Sequence, residues 1–491
     1  MGGDSQAAAL AAEAYVYGAP LVRGLETVGL LTQDGFGSLQ ATAFNHFAHA
    51  EPATGWPADE GTLCSLAHLD LSEGPLVLQV PPSGSRYAVY QFVDAWTNDF
   101  AYAGLRAGGA DGGSWLLAPP GWEGQVPGSV REVIEAPTAV ATLVVRYACA
   151  LADADDVAAV RDLRAGLALH PLTAPGLGRG GLPGGDPLAE PALRFWERLR
   201  VWAGDFPPSD ADRAYQERFQ PLGLLEEGAT PYAEPAAELR WALEEGAAAG
   251  RAEVEAAAWR WGGDGTAGDG GAGDGTTGDG PVGSGDTGSG DGSGEGPASS
   301  SAAFLAGPPA GSPADGGPPG GAGGWKGAAH LFDFNLDHLG PGTLDAPLWR
   351  AGDRSEAYLR RAVAARVGLW GPHGYEATTT QTYRDAAGDR LDGAYAYTLR
   401  LPPPQPAYGW ALSAHEVPRR PGPEPRAVSD RTPGLVREED GSLVLRLAAR
   451  PPRGAAANWV PVPAGAFRAV LRLYVPEAGY AVPGLVRAEP E

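Results

Sequence analysis

Apolar residues along this chain recur at two different periods, and the changes between them mark out its elements. From Gln6 to about Leu30 they fall at helical spacing with alanine dominant, which predicts a leading helix that Pro20 ends or kinks. Short apolar runs then occupy Thr62–Leu71, Leu76–Val80, Tyr87–Val93, Trp115–Ala118 and Ala139–Ala148. Turn-forming clusters such as Pro81-Pro82-Ser83-Gly84 separate them, so these runs predict strands of an antiparallel sandwich or barrel. Helical spacing returns at Asp153–Leu169, where Asp153, Asp155 and Asp156 suit the positive end of a helix. It continues at Ala192–Ala203, with Leu193, Trp196, Leu199 and Trp202 on one face, and at Ala233–Trp261. Beyond Trp325 the pattern predicts a helix at Ser355–Leu369 and strands at Tyr395–Leu401, Trp410–Ser413, Ser442–Leu447 and Phe467–Tyr474.

At Gly262 the pattern stops. Residues 262–324 are almost wholly Gly, Asp, Ser, Thr, Ala and Pro, without Lys or Arg. Asp264, Asp269, Asp274 and Asp279 each follow a glycine at a five-residue period, which raises the idea of a calcium-binding roll. No large apolar residue is present to stack successive turns, so a flexible acidic linker is the favoured reading. The expected fold is mainly β with helices: two β-sandwich or jelly-roll-like domains joined by a helical segment and a disordered Gly/Asp-rich linker. The boundaries follow as an N-terminal β domain with its leading helix (1–175), a helical connecting segment (176–261), the linker (262–324) and a C-terminal β-sandwich (325–491).

Composition narrows the function classes. The 491 residues carry a net charge of −24, which argues against nucleic acid as a partner, because phosphate contacts need a basic footprint. The same balance disfavours anionic membrane surfaces. Cys64 and Cys149 are the two cysteines, both in apolar runs and both read as small buried hydrophobes, although one bridge between them stays open. The N-terminal stretch lacks a basic region and contains Asp4 and Glu13, unlike a secretory signal, and no apolar run has the length of a membrane span. A soluble cytoplasmic protein is therefore expected. Abundant Ala, Gly, Pro and Arg beside a single Met fit a GC-rich bacterial genome.

The densest chemistry lies between Thr62 and Arg106, where Asp94, Trp96, Thr97, Asn98 and Asp99 form a polar knot directly after a strand. Asp94 and Asp99 are the residue types of an acid/base pair, yet Asp or Asn after a strand commonly satisfies turn amides, and that is the favoured role. Trp96 suits stacking on a ring, with core burial as the stronger alternative. Asp70, between Leu69 and Leu71, is expected to face solvent. His46-Phe47-Ala48-His49 would place two imidazoles one helical turn apart, but Phe47 stands where a zincin needs Glu, and a polar or structural role is favoured over metal binding. His415-Glu416 reads as an exposed pair in a loop leading to Pro418. No nucleophile elbow, P-loop or dinucleotide fingerprint is present, and no motif calls for a metal or cofactor.

Read in order, these blocks resemble a two-module bacterial family of unknown function, DUF1254 followed by DUF1214. The first module is carried by Tyr17-Gly18-x-Pro20, Phe44-Asn45 with His49, Thr62-Leu63-x-Ser65, Leu69-Asp70-Leu71, Arg86-Tyr87, Asp94-Ala95-x-Thr97-Asn98 and Pro171-Leu172. The second is carried by Tyr358 to Ala365, Leu391-Asp392-Gly393, Trp410-Ala411-Leu412-Ser413, Asp440-Gly441-Ser442-Leu443, Asn458-Trp459-Val460-Pro461-x-Pro463 and Leu471-Arg472-Leu473-Tyr474-x-Pro476. The resemblance implies two sandwich-like domains and brings no established reaction. Where relatives usually have an Asn-Asp pair before Thr-Leu-Tyr-Ser, this chain has Glu60-Gly61 before Thr62-Leu63-Cys64-Ser65.

Two functional readings stand. In one, a small polar or glycan-like ligand is bound or processed in a cleft at the knot. Trp96 stacks there, and Trp410 repeats the aromatic-beside-polar theme. Asn45, Thr97 and Asn98 bind the ligand, and Asp94 or His49 serves as acid/base. In the other, the protein is a non-catalytic structural or assembly protein whose polar motifs satisfy buried backbone and whose modules pack together or form a homo-oligomer.

Overall fold

A computed structural model describes residues 2–35, 39–52, 61–173, 181–262, 324–327, 330–403, 408–417, 426–452, 456–477 and 480–488. The protein is mainly β with helices, and its strands form four sheets. In the first half, one sheet runs β1 (Phe47–His49), β2 (Thr62–Asp70), β8 (Val140–Ala148), β4 (Ala88–Asp94), β5 (Asp99–Gly104). The other runs β7 (Glu132–Glu135), β6 (Gly113–Ala118), β3 (Leu76–Val80), β9 (Ala168–Pro171). Leu69, Phe92 and Leu143 of the first sheet share a core with Leu78, Trp115 and Ile134 of the second, which makes the pair a sandwich.

Every residue of β2, β4, β5 and β8 is buried. The outer face of this sheet is covered as well: Cys64, Leu66 and Val144 pack on Val28 and Leu31 of the leading helix and on Trp370. A sheet covered twice loses the alternation of a solvated face. Asp70 is accordingly buried, not solvent-facing, and its carboxylate accepts bonds from the Ser72 amide (2.9 Å) and hydroxyl (2.5 Å). Both cysteines are buried, and neither is in a disulfide.

The second half repeats the design. One sheet runs β10 (Lys326–Gly327), β11 (Ala377–Thr382), β17 (Phe467–Tyr474), β13 (Gly409–Glu416), β14 (Val428–Ser429); the other runs β16 (Trp459–Pro461), β15 (Leu443–Ala448), β12 (Tyr397–Leu401), β18 (Val486–Arg487). Trp410, Leu412 and Leu471 meet Leu399, Leu445 and Val460 across its core. β13 extends three residues past the predicted Ser413, so His415 is a buried strand residue with Nε2 3.0 Å from Ser413 Oγ, not part of an exposed loop.

Helices α1 (Gly2–Gln33), α2 (Ala154–Ala165), α3 (Arg194–Asp205), α4 (Asp210–Gln216), α5 (Ala237–Gly262) and α6 (Arg354–Val367) pack around the first sandwich and reach the second half. Asp153 caps α2, accepting from the Asp155 amide as its acidic start requires. Pro20 does not end α1, which continues to Gln33. A proline inside a helix costs about 3 kcal/mol. Tyr17, Leu21, Val22 and Leu25 around it are buried, and at about 1.5–3 kcal/mol per large apolar side chain they outweigh that cost. No helix among the described residues is long and apolar enough to cross a membrane. The glycine-aspartate repeat at Asp264–Asp279, with the calcium and linker readings attached to it, lies outside the described residues.

Candidate functional site

The polar knot is the hairpin turn between β4 and β5. Asp94 and Asn98 close it through backbone: the Asp94 amide donates to Asn98 O (3.0 Å), and the Thr97 amide donates to Asp94 O (3.0 Å). The Asp94 carboxylate accepts from the Asn98 amide (2.8 Å) and from Asn98 Nδ2 (3.0 Å). Thr97 sits at φ 68°, the left-handed conformation a tight turn demands. Trp96 points inward, fully buried; its Nε1 donates to Phe206 O (2.8 Å) and its ring lies 5.0 Å from Tyr17.

The remaining predicted site residues are placed elsewhere. Asn45, at φ 63°, docks on the end of β2, donating to Asp70 O (3.1 Å) and accepting from the Asp70 amide (2.9 Å). His46 lies in a turn and His49 on a strand, so the pair is not on one helical face, and His49 Nδ1 lies 2.8 Å from Ser65 Oγ. Burial and then Arg164 hold the His49 imidazolium below its usual range. His49 pairs with Ser65, whereas Asp70 and Asp94 flank Val140 and Ala141 at the far end of the sheet. Five residues of strand separate those ends, about 17 Å. Trp410 is in the core of the other sandwich. The structure therefore gathers Asp94, Trp96, Thr97 and Asn98, keeps Asn45 on the Asp70 backbone at the same end of the sheet, and leaves His49 and Trp410 apart.

What does converge on the knot is a segment in which the sequence suggested no roles. Asn335 Nδ2 donates to Asp99 O (2.8 Å) and to His338 O (2.6 Å). The buried Asp99 carboxylate accepts from Gln91 Nε2 (2.7 Å) and Tyr102 OH (2.7 Å), and Tyr102 OH accepts from the His373 amide (2.9 Å). Gln91 Nε2 also donates to Gly371 O (2.9 Å), while Arg146 bridges Gln91 Oε1 (2.5 Å) and Trp370 O (2.8 Å). Asp333 lies between two imidazoles, 2.9 Å from His373 Nδ1 and 2.7 Å from His330 Nδ1.

Burial drives the electrostatics of this seam. It raises the Asp99 carboxyl to about 7 against the opposing bonds from Tyr102 and Gln91. It raises Asp94 and Glu376 too, the latter despite its ion pair with Arg106. At Asp333 burial acts in the same direction, but the bonds with His330 and His373 outweigh it and hold the carboxyl low. A carboxylate-oriented histidine at the surface is the arrangement of a general base. His330, however, has no hydroxyl or thiol hydrogen-bonded to it among the described residues, so the cluster lacks the nucleophile of a triad.

Two family models match the chain: DUF1254, a protein of unknown function, over residues 43–171, and DUF1214, likewise of unknown function, over residues 376–478. This is a DUF1254–DUF1214 protein. No curated protein matches it in sequence. Among solved structures it is similar to the VPA0106 protein from Vibrio parahaemolyticus, at a TM-score of 0.64 and 17% identity over 98% of this chain and 100% of that one, a likeness of fold. An uncharacterised protein from Burkholderia cenocepacia matches at a TM-score of 0.39 and 10% identity, over 97% of this chain and 89% of that one.

The DUF1254 knot meets residues that neither matched span contains. Asp333, Asn335, Arg361, Trp370 and His373 all lie between 171 and 376. Arg361 of α6 stands over the rings of Tyr17, Trp96 and Tyr358 at 5.6, 5.5 and 5.5 Å, and Asp212 faces it at 3.6 Å. Trp96 of the DUF1254 turn is thereby held in an aromatic box closed by a cation. In sequence, the alternating Phe332-Asp333-Phe334-Asn335-Leu336-Asp337 was the available signal. It is neither helix nor strand, and Asp333 and Asn335 are buried among apolar neighbours.

Proposed function

We propose that this protein is a non-catalytic structural or assembly protein, and that the DUF1254 knot is the joint holding its parts in one body. The observation carrying this reading is that the polar side chains of the knot spend their bonds inside the protein: Asp94 on Asn98, Trp96 on Phe206 O, Asp99 on Gln91 and Tyr102. Giving up such a buried pair to a ligand would cost about 1–3 kcal/mol. In this reading residues 1–175 and 325–491 are the two β domains, with the 176–261 helices packed against both.

The competing reading places a small polar or glycan-like ligand at Asp94, Trp96, Thr97 and Asn98, where Thr97 Oγ1 is the buried atom left without a partner. Asn98→Ala and Asp94→Asn separate the two by differential scanning fluorimetry with and without a panel of neutral mono- and disaccharides. The joint reading expects both variants to melt several degrees below wild type, and expects saccharides to shift neither wild type nor variants. Unchanged melting together with loss of a saccharide-dependent shift seen in wild type would establish the ligand reading instead.

A further inference from the structure

A cavity of about 130 Å³ lies between α1, α3, α5 and α6, and none of the knot residues lines it. Its walls combine two features. One is apolar: Tyr15 and Phe195 form an aromatic surface with ring centroids 4.6 Å apart, continued by aliphatic side chains of the surrounding helices. The other is cationic: Arg23, Arg251 and Arg366 enter the lining from three different helices.

The charges there do not balance. Arg366 is paired with Glu255 at 2.5 Å, and Glu26 is drawn to Arg198 at the surface. Arg23 and Arg251 make no hydrogen bond or ion pair with any described residue, and Arg23 Nε is sealed from solvent with no partner. Burial and then the neighbouring Arg366 disfavour the charge on Arg23. An unpaired guanidinium fork in a partly apolar recess is matched in shape and charge by a carboxylate, which accepts two parallel bonds. In a chain of net charge −24 such a local surplus of positive charge stands out from the overall balance.

We propose that this cavity is a binding site for a small organic monocarboxylate with an apolar body of about benzoate size, its carboxylate on Arg23 and its body against Tyr15 and Phe195. The volume sets the size: a dry cavity of ~150 Å³ holds benzene. Arg251 at the rim adds attraction for the anion, and the apolar wall excludes strongly hydrated anions. The site is independent of the joint, since none of its residues bonds to the knot.

Isothermal titration calorimetry of the full chain at constant ionic strength tests it, with benzoate, its neutral isostere benzamide, and inorganic phosphate as probes. Saturable binding of benzoate is expected, with benzamide and phosphate each at least about tenfold weaker, because each lacks one half of the match. Arg23→Gln is expected to weaken benzoate by about tenfold or more, and Ala19→Leu, which fills the apolar end, to weaken it without touching a charge. A melting temperature near wild type certifies that each variant is folded. Equal affinity for benzoate and benzamide, tighter binding of phosphate than of benzoate, undiminished binding by folded Arg23→Gln, or no heat from benzoate at millimolar concentration would each overturn the proposal.

Discussion

Asp99 is where the chemistry of single residues in this protein is most exposed to test. Its carboxyl is fully enclosed, and burial lifts it from the ordinary carboxylate range to about 7. The unfolded chain releases this proton near pH 4, whereas the folded chain retains it until about pH 7. Between those values the folded state binds the extra proton, so stability contributed at low pH is lost as the pH rises, and the loss levels off above about 7. From about pH 4.5 to 7.5 the group accounts for roughly 3 kcal/mol of declining stability. Asp99→Asn keeps an acceptor and a donor in place and removes the titration. Urea denaturation across that range is expected to give the wild type a decline about 3 kcal/mol steeper than the variant. Parallel curves would mean that the carboxyl titrates at its ordinary value.

At the scale of elements, the packing of α1 on α5 depends on two glycines. A Cβ on Gly246 would come within 2.3 Å of Ala11 Cβ, and one on Gly250 within 2.9 Å of Ala12 O. In an exposed helix Gly→Ala stabilises by about 1 kcal/mol. Gly204 in α3, with open space where its Cβ would stand, is the control for that ordinary effect. Gly204→Ala is expected to raise the melting temperature slightly, while Gly246→Ala lowers it by the equivalent of about 1–3 kcal/mol, the cost of overpacking. A stabilising Gly246→Ala would show that the crossing is loose. Neither glycine announces this in the sequence, where the segment reads simply as Ala/Glu/Arg-rich helix. Strands were more legible: Leu76–Val80 and Phe467–Tyr474 agree residue for residue with their apolar runs. β5 was hidden, because Asp99 and the small residues after it read as the tail of the polar knot. Asp70 misled for a related reason: alternation signals solvent only when one face of a sheet is left open, and here residues outside the strand, Val28 and Leu31 before it and Trp370 far after it, close that face.

At the scale of the whole molecule, a single glycine marks where the two modules meet. Gly61 immediately precedes β2 and its Thr62-Leu63 start. The space its Cβ would need is filled from the other module, by Tyr474 OH at 2.2 Å and Ala411 Cβ at 2.6 Å. Tyr474 also stacks on Tyr87 of the first module at 4.7 Å, so this contact is part of the seam that joins the two sandwiches. The absence of a side chain at residue 61 thus leaves room for β13 and β17 to pack on the DUF1254 module here. Gly61→Asp must push that sheet away or bury a charge beside a tyrosine ring. The expected result is a melting temperature several degrees lower and faster amide exchange on both sides of the seam, in β17 and at Ala148, whose amide donates to Tyr87 O at 2.9 Å. Gly61→Ala separates the two causes, since it adds bulk without charge. If it is as damaging as Gly61→Asp, sterics alone sets the approach of the modules. If both variants melt and exchange as wild type does, the seam tolerates a side chain at 61 and the close packing of the modules does not depend on this glycine.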